Sequence, residues 1–455
     1  MEQEEKVITN SPFRGLGGYY STNNPSVQVS FQEAVFNSMP QDRGLYMPEE
    51  IKRLPDSFFE KLPNYTLPQI AFEVARHMLN GAIPDHDLQA LIEDAINFDA
   101  PAVQLEEQVY VLELFHGPSL AFKDFGARFM SRVMSYFLKE DEKQLDVLVA
   151  TSGDTGGAVA LGFLGVPNTR VTILYPKGKV SDIQEQQLTT NGQNIRALTI
   201  DGTFDDCQAL VKQAFVDAEL NKAFRLTSAN SINIARLIPQ TFYYFNAYAE
   251  LLRVGKSKVA FCVPSGNFGN IGAGLLAWKM GLPVEQFIAA TNANDTVPAF
   301  LKSGIYEPKA SVQTIANAMD VGNPSNWVRI AYLFKDDAAA LTKLMTGYTY
   351  TDEQTREAIQ QVFEKYNYVV CPHTAIAWRA LKEWQQQHSD VTGVFLSTAH
   401  PCKFPDVFSG EIAAAIHVPE QVKAMEQKEK QSVSLSNDFE AFKQYLLQAK
   451  LLSNI

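Results

Sequence analysis

Cysteine is scarce in this sequence. The four present, Cys207, Cys262, Cys371 and Cys402, are too few and too scattered to frame a disulfide fold, and none forms a CxxC pair with zinc-ligand spacing. A reducing compartment is the expectation. Basic tracts are missing as well: 39 Lys and Arg against 51 Asp and Glu leave a net charge of -12, which argues against duplex nucleic acid as a partner. No apolar run reads as a lipid-spanning helix, because the longest uncharged stretch, Val259 to Trp278, is broken by Pro264, Ser265, Asn267, Asn270 and several glycines. The acidic, polar start MEQEEKVITNSPF is the opposite of a signal peptide. Repeats at a fixed period and low-complexity linkers are also absent. These absences predict a soluble, cytoplasmic protein with no membrane contact.

What is present is ordinary globular material, 46% hydrophobic and 20% charged, in a chain of 455 residues that is too long for one small core. Short β-branched and apolar runs recur at LDVLVA, VTILYP, NIRALTI, KVAFCVP, QFIAAT and VTGVFLST, each bounded by Gly, Pro, Ser or Asn. They read as buried strands. Stretches of helical length such as TFDDCQALVKQAFVDAEL and TIANAMD lie between them, and this alternation predicts an α/β fold with mostly parallel sheets. The first hundred residues differ and suggest a small N-terminal unit. After about residue 420, EQVKAMEQKEK reads as a polar hinge and FEAFKQYLLQAKLL as an amphipathic packing helix.

Four segments carry chemistry. In VATSGDTGGAVALGFLG an apolar strand passes through Thr151, Ser152, Gly153, Asp154, Thr155 and two glycines into a helix, so free first-turn N–H groups would suit a carboxylate or phosphate. A purely structural turn would use the same glycines for positive φ. The design recurs at VPSGNFGNIGAGLL, where the G-x-x-G-x-x-G spacing matches neither a dinucleotide fingerprint nor a P-loop. In LELFHGPSLAFKDFGARFM, Lys123 has Phe122 and Asp124 beside it and Phe115, Phe125 and Phe129 close by. Apolar surroundings favour a neutral amine, which covalent carbonyl chemistry needs, although a surface lysine can equally snorkel. In GVFLSTAHPCKFPD, Thr398 falls at a strand end, where open α/β sheets present ligand-binding groups, and Pro401 and Pro405 stiffen the loop beyond it. Two Cys/His pairs, Cys371 with His373 and His400 with Cys402, lack the company of further ligands, and no residue is assigned to a metal.

Taken in order, YYSTNN, GLYMP, LAFKDFGARF, ATSGDTGGA, SANSINIARL, VPSGNFGN, ATNANDTVP, PHTAIA and TAHPCKF resemble the threonine synthases of the longer bacterial and fungal type, within the fold-type-II pyridoxal-phosphate enzymes. The resemblance covers nearly the whole chain. It implies a tryptophan-synthase-β-like fold: an N-terminal domain over 1–105, a large cofactor-binding α/β subdomain over 106–140 and 256–425, a small mobile α/β subdomain over 141–255, and a C-terminal helical extension over 426–455. It also implies that Lys123 holds pyridoxal 5'-phosphate covalently. Gly266, Asn267, Phe268, Gly269 and Asn270 would cradle the cofactor phosphate, and Thr398 would face the pyridine nitrogen. Ser152, Asp154 and Thr155 would receive the substrate carboxylate, with Asn230, Asn233 and Arg236 nearby and Arg236 placed on the substrate phosphate by its charge. Ser119 and Cys402 stand where Thr and Ala are frequent in the family. Asp154 stands where the wider fold type often has Asn, close to the cofactor's phenolic oxygen, so its carboxyl is expected either to be protonated or to point elsewhere.

The reaction implied is conversion of O-phospho-L-homoserine and water to L-threonine and phosphate by γ-elimination and β-replacement, in a monomer or homodimer. The runner-up is a related phospho-lyase that releases 2-oxobutanoate, ammonia and phosphate. A serine/threonine dehydratase has no need of a second anion site or of the long N-terminal unit, and a non-catalytic binding protein has no need of Lys123.

Overall fold

In the computed structural model, which describes residues 18–26, 28–139, 144–335 and 337–453, the apolar runs form strands. The acidic start at 1–13 and the expected boundary at 140/141 lie outside those residues. In chain order the strands are β1 (Tyr19–Ser21), β2 (Gln28–Val29), β3 (Tyr46–Pro48), β4 (Ala102–Glu106), β5 (Val109–Glu113), β6 (Leu145–Ala150) and β7 (Thr169–Pro176). They continue as β8 (Ile195–Asp201), β9 (Arg225–Ser228), β10 (Val259–Pro264), β11 (Gln286–Thr291), β12 (Met345–Thr349), β13 (Thr392–Ser397) and β14 (Val433–Ser436).

Three sheets result. The N-terminal one is antiparallel, ordered β2-β1-β3. A six-stranded sheet runs β12-β11-β10-β13-β5-β4 and is parallel except for β4, which returns antiparallel on β5. A five-stranded sheet runs β14-β8-β7-β6-β9 with every pairing parallel. Central strands such as β6, β7, β10 and β13 are buried along their whole length, as expected where helices cover both faces. The fold is α/β with two mostly parallel sheets and a small N-terminal unit.

Three segments differ from their sequence reading. TIANAMD makes only the 3-10 turn Asn317–Met319, because Asp320 accepts from the Thr314 amide and hydroxyl and from Asn292, and these local bonds compete with a helix. The polar hinge contains the helix Glu420–Glu426, whose Val422 and Met425 are buried. The C-terminal segment contributes a strand, β14, before its helix, Phe439–Ser453; that helix buries Phe442 and Leu446 in one cluster with Leu148 and Leu198 of the five-stranded sheet and Leu210 of the helix Phe204–Val216.

The topology gathers the chemical segments. Thr151 follows β6, Asn230 lies just past β9, Ser265 follows β10 and Thr398 follows β13. All lie at carboxyl ends of parallel strands, where an α/β sheet leaves its ligand crevice.

Candidate active site

Lys123 opens the helix Lys123–Leu138 and follows a braced loop. In that loop Leu120 takes the left-handed conformation, φ 60°, and the buried Asp124 carboxylate accepts from the Ser119 amide at 2.9 Å. Burial pushes the Asp124 carboxyl up to about 6, against the pull of its Ser119 bonds. The Lys123 amine itself is pushed down to about 8, chiefly by burial, with Asp154 opposing and Lys403 and Arg236 assisting. Of the nearby aromatics, Phe122 puts its ring 5.8 Å from Lys123 Nζ. Phe125 packs edge-on against Phe98 and Tyr243, Phe129 against Phe242, and Phe115 against His400, so these three serve the core and the neighbouring turn.

The TSGDTG loop caps the helix Asp154–Phe163. Thr151 Oγ1 accepts from the amides of Gly153 and Gly156, at 2.9 and 2.8 Å, leaving the first-turn amides of Asp154 and Thr155 without an intrahelical acceptor. Gly153 sits at φ 131°, and a Cβ there would lie 2.5 Å from the Gln184 side chain. Asp154 neither turns away nor is neutral. Its Oδ2 lies 3.9 Å from Lys123 Nζ, while Oδ1 accepts from Lys403 Nζ at 2.8 Å and from Gln184 Nε2 at 2.9 Å. Burial alone would favour the acid form, but the charges of Lys403 and Lys123 and the hydrogen bonds from Lys403 and Gln184 hold the carboxyl well below the usual carboxylate range. The expected choice between protonation and pointing elsewhere is therefore corrected: a second, fully buried lysine neutralises the charge.

The second loop, Ser265 to Asn270, leads into the helix Gly269–Lys279. Its conformation is held from outside. Asn267 Oδ1 accepts from the Ser325 amide and hydroxyl, and Asn267 Nδ2 donates to Ser231 Oγ at 2.6 Å, so this side chain shapes the loop. Phe268 is left-handed at φ 57°. Asn270 Oδ1 accepts from the hydroxyls of Tyr243 and Tyr244, both at 2.7 Å, while its buried Nδ2 has no acceptor among the described residues. A Cβ on Gly266 would meet Met319 Cα at 2.6 Å, whereas at Gly269 the nearest atom is Asn326 Nδ2 at 3.3 Å.

In the SANSINIARL segment Asn230 Nδ2 donates to the Ala150 carbonyl at the end of β6. Asn233 caps the helix Ile234–Leu237 and spends its Nδ2 on the N-terminal unit, at Val35 O and Ser38 Oγ. Arg236 is buried against the lysine helix: it donates to Ala229 O, has no partner for Nε among the described residues, and would be struck at 2.7 Å by a Cβ on Gly126. Burial pushes its guanidinium down to about 10. Sequence reasoning missed Lys403 and Gln184. It also missed Arg329, which ties Ser231, Ile232, Asn326 and Tyr46 together beside the second loop. Lys403 stands within TAHPCKF, but a lone lysine between prolines reads as solvated until the fold buries it.

The donor set suits pyridoxal phosphate. A largely enclosed amine whose pKa is pushed down to about 8 can bond covalently to an aldehyde. The second loop offers a helix N-terminus, a glycine with no room for a side chain and an unspent amide donor to a phosphate.

Comparisons with known proteins agree. Residues 96–397 match the family described as pyridoxal-phosphate dependent enzyme, residues 18–96 match the threonine synthase N terminus, and residues 374–446 match the threonine synthase C-terminal family. The chain is 44% identical to a threonine synthase of Haemophilus influenzae over 94% of its own length and 99% of the relative. It is similar to the crystal structure of threonine synthase from Escherichia coli, with TM-score 0.87 and 40% identity over 95% of this chain and 100% of that one. A pyridoxal-phosphate-bound threonine synthase from Brucella melitensis also has TM-score 0.87, with 35% identity over 94% and 98% of the two chains.

Proposed function

The chain belongs to the threonine synthase family of pyridoxal-phosphate-dependent enzymes, and from that premise we infer that it converts O-phospho-L-homoserine and water to L-threonine and inorganic phosphate. The observation that carries the reading is the largely enclosed Lys123 amine, 3.9 Å from Asp154, at the carboxyl ends of parallel strands where two helix N-terminal loops meet. The phospho-lyase alternative is not favoured by the relatives, which carry the synthase name.

When bound, pyridoxal phosphate supplies the electron sink that makes the substrate's Cα and Cβ protons removable. Lys123 would hold it. Once freed, the same amine is the group available to take a proton from one carbon and return it to the next, which a group titrating near 8 does well in both directions. Gly266, Phe268 and Gly269 would hold the cofactor phosphate by backbone N–H groups, with Asn270 Nδ2 as a side-chain donor and Asn267 as the brace of the loop. Thr398, a neutral hydroxyl, would leave the ring nitrogen largely unprotonated and so favour elimination and replacement over racemisation. Ser152, Asp154 and Thr155 would receive the substrate carboxylate through first-turn amides and hydroxyls. Asn230 would line the same crevice, Asn233 would position its loop, and Arg236 would supply positive charge from beneath.

We further propose that the five-stranded sheet, which carries the TSGDTG loop, moves as a unit to exclude water at the elimination step; of the expected span 141–255 the helix Phe242–Arg253 is left out, because Tyr243 and Tyr244 fasten it to Asn270 of the other loop. A cytoplasmic monomer or homodimer completes the proposal; among the described residues no helix is long and apolar enough to cross a membrane.

The test is to measure phosphate and threonine together from O-phospho-L-homoserine, where one threonine per phosphate is expected. Phosphate accompanied by 2-oxobutanoate and ammonia would overturn the reading. Lys123→Ala is expected to abolish borohydride fixation of the cofactor and nearly all turnover, and peptide mass should place the fixed cofactor of the parent on Lys123.

A further inference from the structure

Lys403 is as deeply buried as any apolar core residue, yet it lies at the crevice. Its Nζ donates to the Ser119 carbonyl at 2.7 Å, four residues before Lys123, and pairs with Asp154 Oδ1 at 2.8 Å. Its own carbonyl accepts from Ser181 Oγ, and Ser181 caps the helix Asp182–Thr189 that carries Gln184, the other partner of Asp154 Oδ1. The contacts close a ring. Because Lys403 follows β13 of the six-stranded sheet and Asp154 follows β6 of the five-stranded sheet, that ring spans the two sheets at the point where Lys123 stands.

We propose that Lys403 is a positioning residue: it holds Asp154 as an oriented carboxylate and offsets that charge at Lys123, so that the Lys123 amine is free to be neutral. Charge balance at Asp154 is the reason. Without Lys403, the nearest cation to Asp154 would be Lys123 Nζ, 3.9 Å away, and the pair would keep Lys123 as an ammonium that can neither bond to an aldehyde nor accept a proton. The other charged or titratable groups near Lys123 do not replace it. Arg236 reaches it from the helix Ile234–Leu237, and His373 from the helix Pro372–Gln385. Asp124, on the lysine's own helix, is engaged by Ser119. A buried ion pair with only a structural role would change stability and leave the protonation of Lys123 alone.

The inference rests on the reading of Lys123 as the cofactor lysine, and the experiment separates the two. The full chain, resolved of its cofactor, is mixed with pyridoxal phosphate over a range of pH, the rate of capture is followed by the visible band, and the attachment is mapped by borohydride reduction and peptide mass. The parent should lose rate on the acid side of about pH 8. In Lys403→Met that limb should move up by about one unit, about a tenfold slower capture at neutral pH. Lys403→Arg should keep the parent's limb, and the double variant Lys403→Met with Asp154→Asn, which removes both charges, should return it to the parent's position or below. An unmoved limb in Lys403→Met, with capture still on Lys123, overturns this proposal alone. If that variant does not fold, the double variant decides, and an upward shift in it overturns the proposal. Capture on a different lysine in the parent overturns both the proposal and the reading beneath it.

Discussion

The amide of Phe122 donates to the carbonyl oxygen of Thr398 at 2.9 Å, fastening the residue before the candidate cofactor lysine to the end of β13. An Ala121–Ala399 bridge and a bond from the His400 amide to Leu120 O continue the pairing. Lys123 and Thr398 are thereby held in register by backbone alone. Thr398→Asp should leave this register intact and place a carboxylate where the ring nitrogen is proposed to lie, favouring its protonation. Exchange of the Cα proton into deuterated solvent, relative to phosphate release, should then rise by about tenfold, the scale of a one-unit pKa change. An unchanged ratio at equal cofactor occupancy would remove Thr398 from that role.

Gly266 and Gly269 should part company on substitution to Ala. At Gly266 the new Cβ would meet backbone, Met319 Cα at 2.6 Å and Ala318 O at 3.0 Å, so either the loop or the 316–320 turn must shift. A loss of about 1–3 kcal/mol in stability together with weaker cofactor retention is expected. Gly269→Ala meets only an amide nitrogen at 3.3 Å and should change stability much less. Thermal unfolding and cofactor dissociation rates on both variants check the contrast, and equal losses would contradict it.

Gly153→Ala combines a left-handed φ of 131° with a Cβ 2.5 Å from Gln184. Because Gln184 also donates to Asp154, the substitution should disturb the substrate loop without reaching the cofactor-phosphate loop. KM should rise, and cofactor retention should fall less than in Gly266→Ala. A variant that loses as much cofactor as Gly266→Ala would show that the two loops are not independent.

His373 ties the site to pH. Burial pushes its imidazole down to about 4, and Nε2 accepts from the Ala318 amide at 3.2 Å, next to the Met319 that backs Gly266. A base whose folded pKa lies below its unfolded value of about 6.5 contributes stability that is fully present above that pH and is lost as pH falls toward 4. The parent should lose roughly 2–3 kcal/mol across this window on that account, and His373→Gln should flatten the slope by a similar amount. Denaturant unfolding at several pH values measures it, and parallel slopes in the two proteins would refute the assignment. His400, also pushed down to about 4 by burial, leaves part of the slope in the variant.

The strands around the crevice were legible because each is a short apolar run with a breaker at its end: LDVLVA is β6 and QFIAAT is β11, residue for residue. Local signals of that kind work where burial on both faces demands continuous apolar sequence. The turn at Asn317–Met319 escaped because its conformation is set by Asp320 and Asn292, whose side chains compete with the helix that TIANAMD otherwise favours. Strand β14 escaped although Val433-Ser-Leu-Ser alternates, since four residues on a sheet edge leave little pattern to read.

By itself the sequence determined the α/β class, the order of the loops and the residue types that converge: an amine, two glycine-bearing helix starts and a hydroxyl at a strand end. These follow from local periodicity and from the chemistry of single residues. Only the tertiary structure decided the charge state of Asp154, the duty of Asn267 and Asn233 as braces, and the presence of Lys403 in the crevice. The physical reason is that ionisation and orientation depend on desolvation and on partners within a few ångströms, and those partners come from segments far apart in the chain that meet only when the two parallel sheets pack together.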